Sequence, residues 1–449
     1  MRASRRRTLA PAILAAALVT LAASHAHAAT PTCGGKTATI VGTSAGQTIN
    51  GTSGDDVIHG RGGNDVINGK GGNDRICGGD GNDTLNGDAG NDRFYNDAGS
   101  DVFSGGGGRD TVSYARSASL VIVSINDVAN DGGEGDDVRT DVEGVVGSRY
   151  DDLISGNASS NVLSGGGGDD TIAGFGEADL LDGGSGSDYL EGGEGHDDLF
   201  GGPDPDEIEG GAGVDWIFGE GGRDDLRGGG DDDVIFGGDA RDSLSGGDGE
   251  DTLFGDAGND AIIADAVAPF PDFVDAGPGR DWVLAGGGDD EVWGGEGEDS
   301  IQGGDGSDII YGGTEGDQLL GEAGSDSILG GGGGDIILGG AANDFLEGGS
   351  GYDSITGGDG NDEILGGSGD DDLIGGTGTD ELRGNAGGDD LRGDEHNDRL
   401  FGGDGDDSIQ GGAGDDALDG GRHFDRLDGG DGTLDACTRG EILIGCETV

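Results

Sequence analysis

Positive charge is scarce in this chain. Across 449 residues, 23 lysines and arginines face 93 aspartates and glutamates, leaving a formal charge of −70. Nucleic acid and anionic membrane are excluded as natural partners, because both repel such a surface. Aromatic side chains make up only 5% of residues, and methionine occurs once. With 110 glycines added, such a composition ordinarily signals disorder, since little apolar surface opposes chain entropy. After Ala23 no apolar run approaches the length of a membrane helix. Catalytic signatures are missing too: there is no His-Glu-x-x-His and no phosphate loop. Histidines do not cluster. His25 and His27 fall in the leader, while His59, His196, His396 and His423 fall at variable or turn positions expected to be solvated. No enzymatic activity is expected.

The first 28 residues read as a secretory signal peptide. Arg2, Arg5, Arg6 and Arg7 precede an apolar stretch from Leu9 to Ala23, and Ala26-His27-Ala28 forms a small-x-small cleavage site. Ser4-Arg5-Arg6-Arg7-Thr8-Leu9 partly resembles a twin-arginine signal, although Thr8 stands where that signal has an apolar residue. Cleavage would leave 19 basic against 93 acidic residues, or −74, so the expected product is a secreted, strongly acidic chain. Four cysteines suit an oxidising compartment and allow three connectivities. The pairing favoured here is Cys33 with Cys77 and Cys437 with Cys446, one bridge near each end. Cys33 lies about two coils from Cys77, roughly 10 Å by strand spacing and beyond the reach of a disulfide, so this pairing requires the N-terminal segment to fold back.

Periodicity is what argues against disorder. From Gly42 to Asp428 the chain repeats every nine residues as Gly-Gly-x-Gly-x-Asp-x-apolar-x, seen cleanly in Gly348-Gly349-Ser350-Gly351-Tyr352-Asp353-Ser354-Ile355-Thr356. There are 39 such frames; position six is Asp in 37, with Gln47 and Asn161 the exceptions, and position eight is Ile, Leu, Val or Phe in all. Glycine-rich residues followed by three around an apolar centre describe a tight turn and a very short strand, with position eight inward. Two units make an 18-residue coil, and stacked coils make an all-β, parallel β-roll, a solenoid with a thin aliphatic core. One buried aliphatic per nine residues does not offset the entropy of ordering them. Stacking also brings the aspartates of alternate frames to within about 5 Å of one another. A hard divalent cation held by carboxylate and carbonyl oxygens would neutralise those rows, and Ca²⁺ with its flexible oxygen coordination suits such turns.

The unit resembles the RTX, or haemolysin-type, calcium-binding repeat, over roughly four fifths of the chain. The resemblance implies Ca²⁺ ions between consecutive turns on each edge, ligated by the position-six aspartate of one turn and glycine carbonyls of its neighbour. Carried over by position, the implied ligands in the first run are Asp56, Asp65, Asp74, Asp83, Asp92, Asp101 and Asp110. In the second run they are Asp170, Asp188, Asp197, Asp215, Asp224, Asp251 and Asp260. In the third they are Asp281, Asp290, Asp299, Asp308, Asp326, Asp335, Asp353, Asp362, Asp371, Asp380, Asp389, Asp407 and Asp416. Frames in which Tyr150, Glu177, Asp204, Ala240, Glu315, Ala342, His396 or His423 replaces the position-four glycine are expected to be poorer sites. Proteases, lipases and toxins with such repeats carry a separate catalytic or membrane-active domain, for which no room remains here.

Boundaries follow from breaks in the period. A cap at 29–41 precedes a first roll at 42–113, an insert at 114–146, a second roll at 147–263, a frame shift at 264–266, a third roll at 267–428 and a cap at 429–449. Within the insert, Leu120 to Ile125 alternates as a longer strand before the acidic loop Asn126 to Asp137. This insert is expected to cap one roll and start another; the rival reading is a functional loop using Asp127, Asp131, Glu134, Asp136 and Asp137. Ala264-Asp265-Ala266, followed by Pro269, Pro271 and Pro278, predicts a kink or register break. Ile442, Leu443 and Ile444 are available to cover the last coil. At position nine, Phe200, Phe218, Phe236 and Phe254 recur every 18 residues and should stack. Trp293, Tyr311, Leu329, Leu365 and Phe401 continue that stripe, which either stiffens the coils or offers a strip for self-association or a cell-surface or saccharide partner.

Overall fold

The computed structural model describes residues 30–132, 135–265, 269–440 and 442–446; the signal-peptide reading lies outside them. Among the described residues every regular element is a β-strand, and no helix is long and apolar enough to cross a membrane. Strands pair in parallel with partners 18 residues away: Leu346 faces Ile364 on one side of the roll, and Ile355 faces Leu373 on the other. All 39 position-eight side chains are buried, from Ile49 through Leu427. The alternation of a strand puts position eight inward and its neighbours outward, and stacking makes a continuous aliphatic column of the inward residues.

The strands are longer than the repeat suggests. Ser354–Asp359 covers the last three residues of one unit and the first three of the next, with Ile355 and Gly357 both inward. Position one therefore belongs to the strand and not to the turn, because the period of two carries the inward direction from position eight to the next position one. The turn proper is confined to positions four to six. Gly349 and Gly351 have φ of 108° and 136°, and a Cβ on either would overlap a carbonyl oxygen of the preceding coil. That explains glycine at positions two and four by backbone conformation and by close stacking together.

Both interruptions are absorbed within the stack. In one sheet the ladder runs from Ile40–Val41 to Ala436–Thr438, passing through the insert as Thr111–Ser113 pairs with Gly144–Val146 and that strand with Val162 onward. The opposite sheet breaks at the insert. Val102–Phe103 pairs with Asp137–Val138, whereas Ile122–Ser124 pairs with Leu153–Ser155. Within Leu120 to Ile125 only Ile122–Ser124 is strand, although Val121, Val123 and Ile125 are buried as the alternation required. At the frame shift, Ala261–Ile263 pairs with Trp282–Leu284 and Thr252–Phe254 with Phe273–Asp275, so three extra residues enter the loop and neither sheet loses register.

The ends differ. Thr32–Cys33 and Lys36–Thr37 form an antiparallel hairpin that folds back over the first coils, bringing Cys33 within 5.7 Å of Cys77 between Cα atoms. Cys437 is bonded to Cys446. Ile442–Ile444 pairs with Arg426–Asp428 as a last strand, but its side chains remain 40% or more exposed. The segment extends the sheet and does not cover the coil.

Candidate metal centre

Each edge of the roll is a row of position-six aspartates. Asp353 is 0% exposed. Its Oδ1 accepts the backbone N–H of Asp335 at 2.9 Å, and its own N–H donates to Oδ1 of Asp371 at 3.0 Å. This relay repeats coil by coil, for example from Asp56 to Asp74, Asp74 to Asp92 and Asp92 to Asp110. It occupies one carboxylate oxygen and leaves the other. Oδ2 of Asp353 is buried and has no protein donor, and the same holds for Asp65, Asp74, Asp83, Asp92, Asp110 and most position-six aspartates of the later runs.

A Cβ on Gly348 would overlap Oδ2 of Asp353 and would stand 2.7 Å from the carbonyl oxygen of Gly366 in the next coil. At Gly348 the missing side chain makes room for the carboxylate, a steric role separate from any unusual φ, while Ala276 and Ala285 hold position one in their own frames. Burial, only partly offset by the backbone hydrogen bond, pushes the carboxyl groups of Asp74, Asp83 and Asp233 upward, and neighbouring carboxylates in the row add to it. Asp74 rises to about 6, Asp83 to about 7 and Asp233 to about 8. A buried anionic oxygen beside a carbonyl, without a donor, is costly unless a proton or cation joins it. The donor set is entirely hard oxygen, which fits Ca²⁺.

Frames lacking the position-four glycine keep this geometry. Asp179, Asp206, Asp242, Asp317, Asp344 and Asp398 each accept a backbone N–H from the preceding coil and each carry a buried Oδ2 without a donor. In the frames of Asp179, Asp242, Asp317, Asp344 and Asp398 the turn holds because Glu177, Ala240, Glu315, Ala342 and His396 adopt the left-handed φ of glycine, between 61° and 91°, and His423 does the same in the last frame. The stacked coils impose that conformation over the preference of the residue, and the sequence alone gives no sign that they do. Among the expected ligands Asp56 differs: Thr52 donates to its Oδ2 from both N–H and hydroxyl, at 2.7 and 2.9 Å. Ser148 makes the equivalent backbone contact to Asp152 at the start of the second run.

Acids of the insert are arranged otherwise. Asp131 is 0% exposed and accepts backbone N–H groups at both oxygens, Ser124 at 2.7 Å and Val138 at 2.8 Å. Asp136 accepts the N–H of Asp101 at 2.8 Å and the hydroxyl of buried Tyr114 at 3.3 Å. On the outer face, Phe200, Phe218, Phe236 and Phe254 stack at 4.9, 5.0 and 4.8 Å with planes within 6° of parallel. Trp293 meets Tyr311 at 4.6 Å, and Arg383 and Arg399 flank Phe401.

No curated protein matches the chain. Among solved structures, a hyperactive, Ca²⁺-dependent, β-helical antifreeze protein from an Antarctic bacterium aligns with 84% of this chain and 83% of its own, at 15% identity and a TM-score of 0.16. A TM-score that low lends that likeness no weight. The family model for the RTX calcium-binding nonapeptide repeat matches residues 41–76 and 78–112, then overlapping windows from 146 to 262 and from 270 to 433. With more than half of its length matched, and the repeat's aspartates aligned in two buried rows, the chain belongs to the RTX calcium-binding nonapeptide repeat family.

Proposed function

We propose that this is a secreted, non-catalytic calcium-binding protein whose roll folds as it loads with Ca²⁺. The observation that carries the reading is the file of buried Oδ2 atoms without donors along both edges. At neutral pH and without cations these rows repel themselves, and burial of one aliphatic per unit does not compensate. With Ca²⁺ bound, its charge offsets the carboxylates and its coordination ties consecutive turns together, so ion binding and folding are one event. The position-six aspartates are the proposed ligands, including those in frames without the position-four glycine. An affinity of about 0.1 to 1 mM, the range of extracellular calcium modules, would leave the chain unfolded during export and fold it outside. The leader-like N-terminus and two disulfides support export.

Beyond ion binding, a structural or surface role is the reading the geometry favours. A second role, as an adhesion module, is supported by the stacked phenylalanines on the outer face. Circular dichroism of the mature chain, titrated with Ca²⁺ and with Mg²⁺ as control, tests the main reading. A cooperative gain of β signal with Ca²⁺ alone is expected, and full β structure at pH 7.5 after exhaustive chelation would overturn it.

A further inference from the structure

One turn in the N-terminal run departs from the repeat in a way that adds a ligand. Position two is a left-handed glycine in most units, and where an acid replaces it, as in Asp88, Glu220, Asp256, Glu322 and Asp394, the left-handed φ persists and the side chain is exposed. Asp97 occupies position two of the frame whose sixth position is Asp101, and it does not share that backbone conformation. Its Oδ2 accepts the N–H of Gly79 in the coil below at 2.7 Å, and its Oδ1 is buried without a donor. The carboxylate thus joins Asp83 and Asp101, so that one oxygen from each of the three lies within 4.8 Å of the others. Asp83 is 1% exposed, and its Oδ2 also lacks a donor. No other three-acid cluster of this compactness occurs among the described residues.

We propose that Asp83, Asp97 and Asp101 form a three-carboxylate Ca²⁺ site, tighter than the repeat's own sites and the first to fill. The inference rests on the calcium-binding reading above and extends it to the order of loading. Coordination by oxygen is tuned by the number of charged ligands and the rigidity of the site, and this turn exceeds its neighbours in both. Rigidity comes from the disulfide: Gly79 follows two residues after Cys77, which is bonded to Cys33, so the turn is tied covalently to the terminal hairpin. Loading would begin at this anchored end, and each coil so ordered would present a formed edge to the next, as expected of a quasi-one-dimensional stack.

Isothermal titration calorimetry of the full mature, oxidised chain with Ca²⁺ tests this, alongside Asp97→Gly, Asp97→Asn and, as control, Asp88→Gly. Wild type should show about one equivalent of tight binding before the bulk phase. Asp97→Gly restores the repeat's own residue and so keeps the fold. It should weaken that first equivalent by about tenfold or more and leave the bulk phase and the final β signal intact. Asp97→Asn should do the same, and Asp88→Gly should change neither phase. A bulk phase with no separate tight equivalent, or a tight equivalent unmoved by both Asp97 variants, would overturn the three-carboxylate site while leaving the general reading in place. Absence of any Ca²⁺ binding would instead remove the general reading and this one with it.

Discussion

The uninterrupted coils from Trp282 to Gly430 and the insert at 114–146 bury aspartates to the same depth and treat them oppositely. In the coils, a carboxylate such as that of Asp353 accepts one backbone N–H and keeps a second, buried oxygen without a donor. In the insert, Asp131 uses both oxygens on the N–H groups of Ser124 and Val138, and Asp136 receives Asp101 and Tyr114. Asp131 and Asp136 find their donors within the chain, while the coil aspartates leave one oxygen open along the whole edge. On the proposed reading, buried acid in this molecule has two meanings, internal scaffold and cation ligand, and the number of protein donors separates Asp131 from Asp353.

Removing the cation should break the comparison most widely. With Ca²⁺ present, amide hydrogen exchange should be slow in every strand from Trp282 to Gly430. After chelation at pH 7.5, protection there should collapse across the run and not at single coils. Persistent protection would mean that packing and hydrogen bonds suffice without the ion.

Acid should then substitute for calcium. Carboxyl groups such as Asp74, Asp83 and Asp233 are pushed from 3.8 to between about 6 and about 8 by burial and by neighbouring carboxylates. A raised pKa means the fold binds protons more tightly than the unfolded chain. That contribution is fully present below pH 3.8 and is lost as pH rises through about 6 to 8. The metal-free chain should gain β signal as pH falls from 8 toward 4, the reverse of ordinary acid denaturation. A flat or falling signal over that window, read by circular dichroism in chelator, would count against the donor-free rows.

Single substitutions sharpen the contrast further. Ile355→Ala opens a cavity in the aliphatic column, and a loss of about 2 to 5 kcal/mol is expected in Ca²⁺-saturated denaturant melts. Asp131→Asn replaces an acceptor with an amide that offers one oxygen to two backbone donors. It should cost about 1 to 3 kcal/mol at saturating Ca²⁺ with no change in ion stoichiometry. Asp353→Asn should instead lower the stoichiometry while leaving the insert untouched, and identical profiles for the two variants would erase the distinction. The smallest effect is expected at Ala342, whose φ is 87°: Ala342→Gly relieves the left-handed conformation and should stabilise the roll by about 1 kcal/mol.

Much of this was legible because the physics is periodic. A single inward apolar side chain every nine residues dictates the coil, its stacking at 18 and the two rows of acid, and the position-eight side chains from Ile49 to Leu427 are all buried. The cysteine pairing followed from where the four residues fall along the array, and the hairpin at Thr32–Thr37 supplies the fold-back that Cys33 needed. What the sequence concealed is what depends on neighbours one coil away. Glycine at position one reads as turn chemistry but serves as space for Asp353 and its equivalents. His396 and His423 read as defects yet hold the glycine conformation because adjacent coils enforce it. Asp131 and Asp97 look like two more acids among 93, since nothing local distinguishes a carboxylate that finds backbone donors, or two other carboxylates, after the chain has stacked.

The unbroken ladder from Ile40 to Thr438 has a mechanical corollary. Coils joined edge to edge in series share a pull applied along the stack, and they yield from an end, not all at once. Each coil that peels away frees 18 residues, or about 60 Å of extended chain. The bridge from Cys33 to Cys77 withholds 44 residues from extension, whereas that from Cys437 to Cys446 withholds only 9, so lengthening would proceed mainly from the C-terminal end. If the chain bears load and binds Ca²⁺ as proposed, extension would come in steps that are even except at the insert and the frame shift, with the concentration of the surrounding ion setting the force of each step.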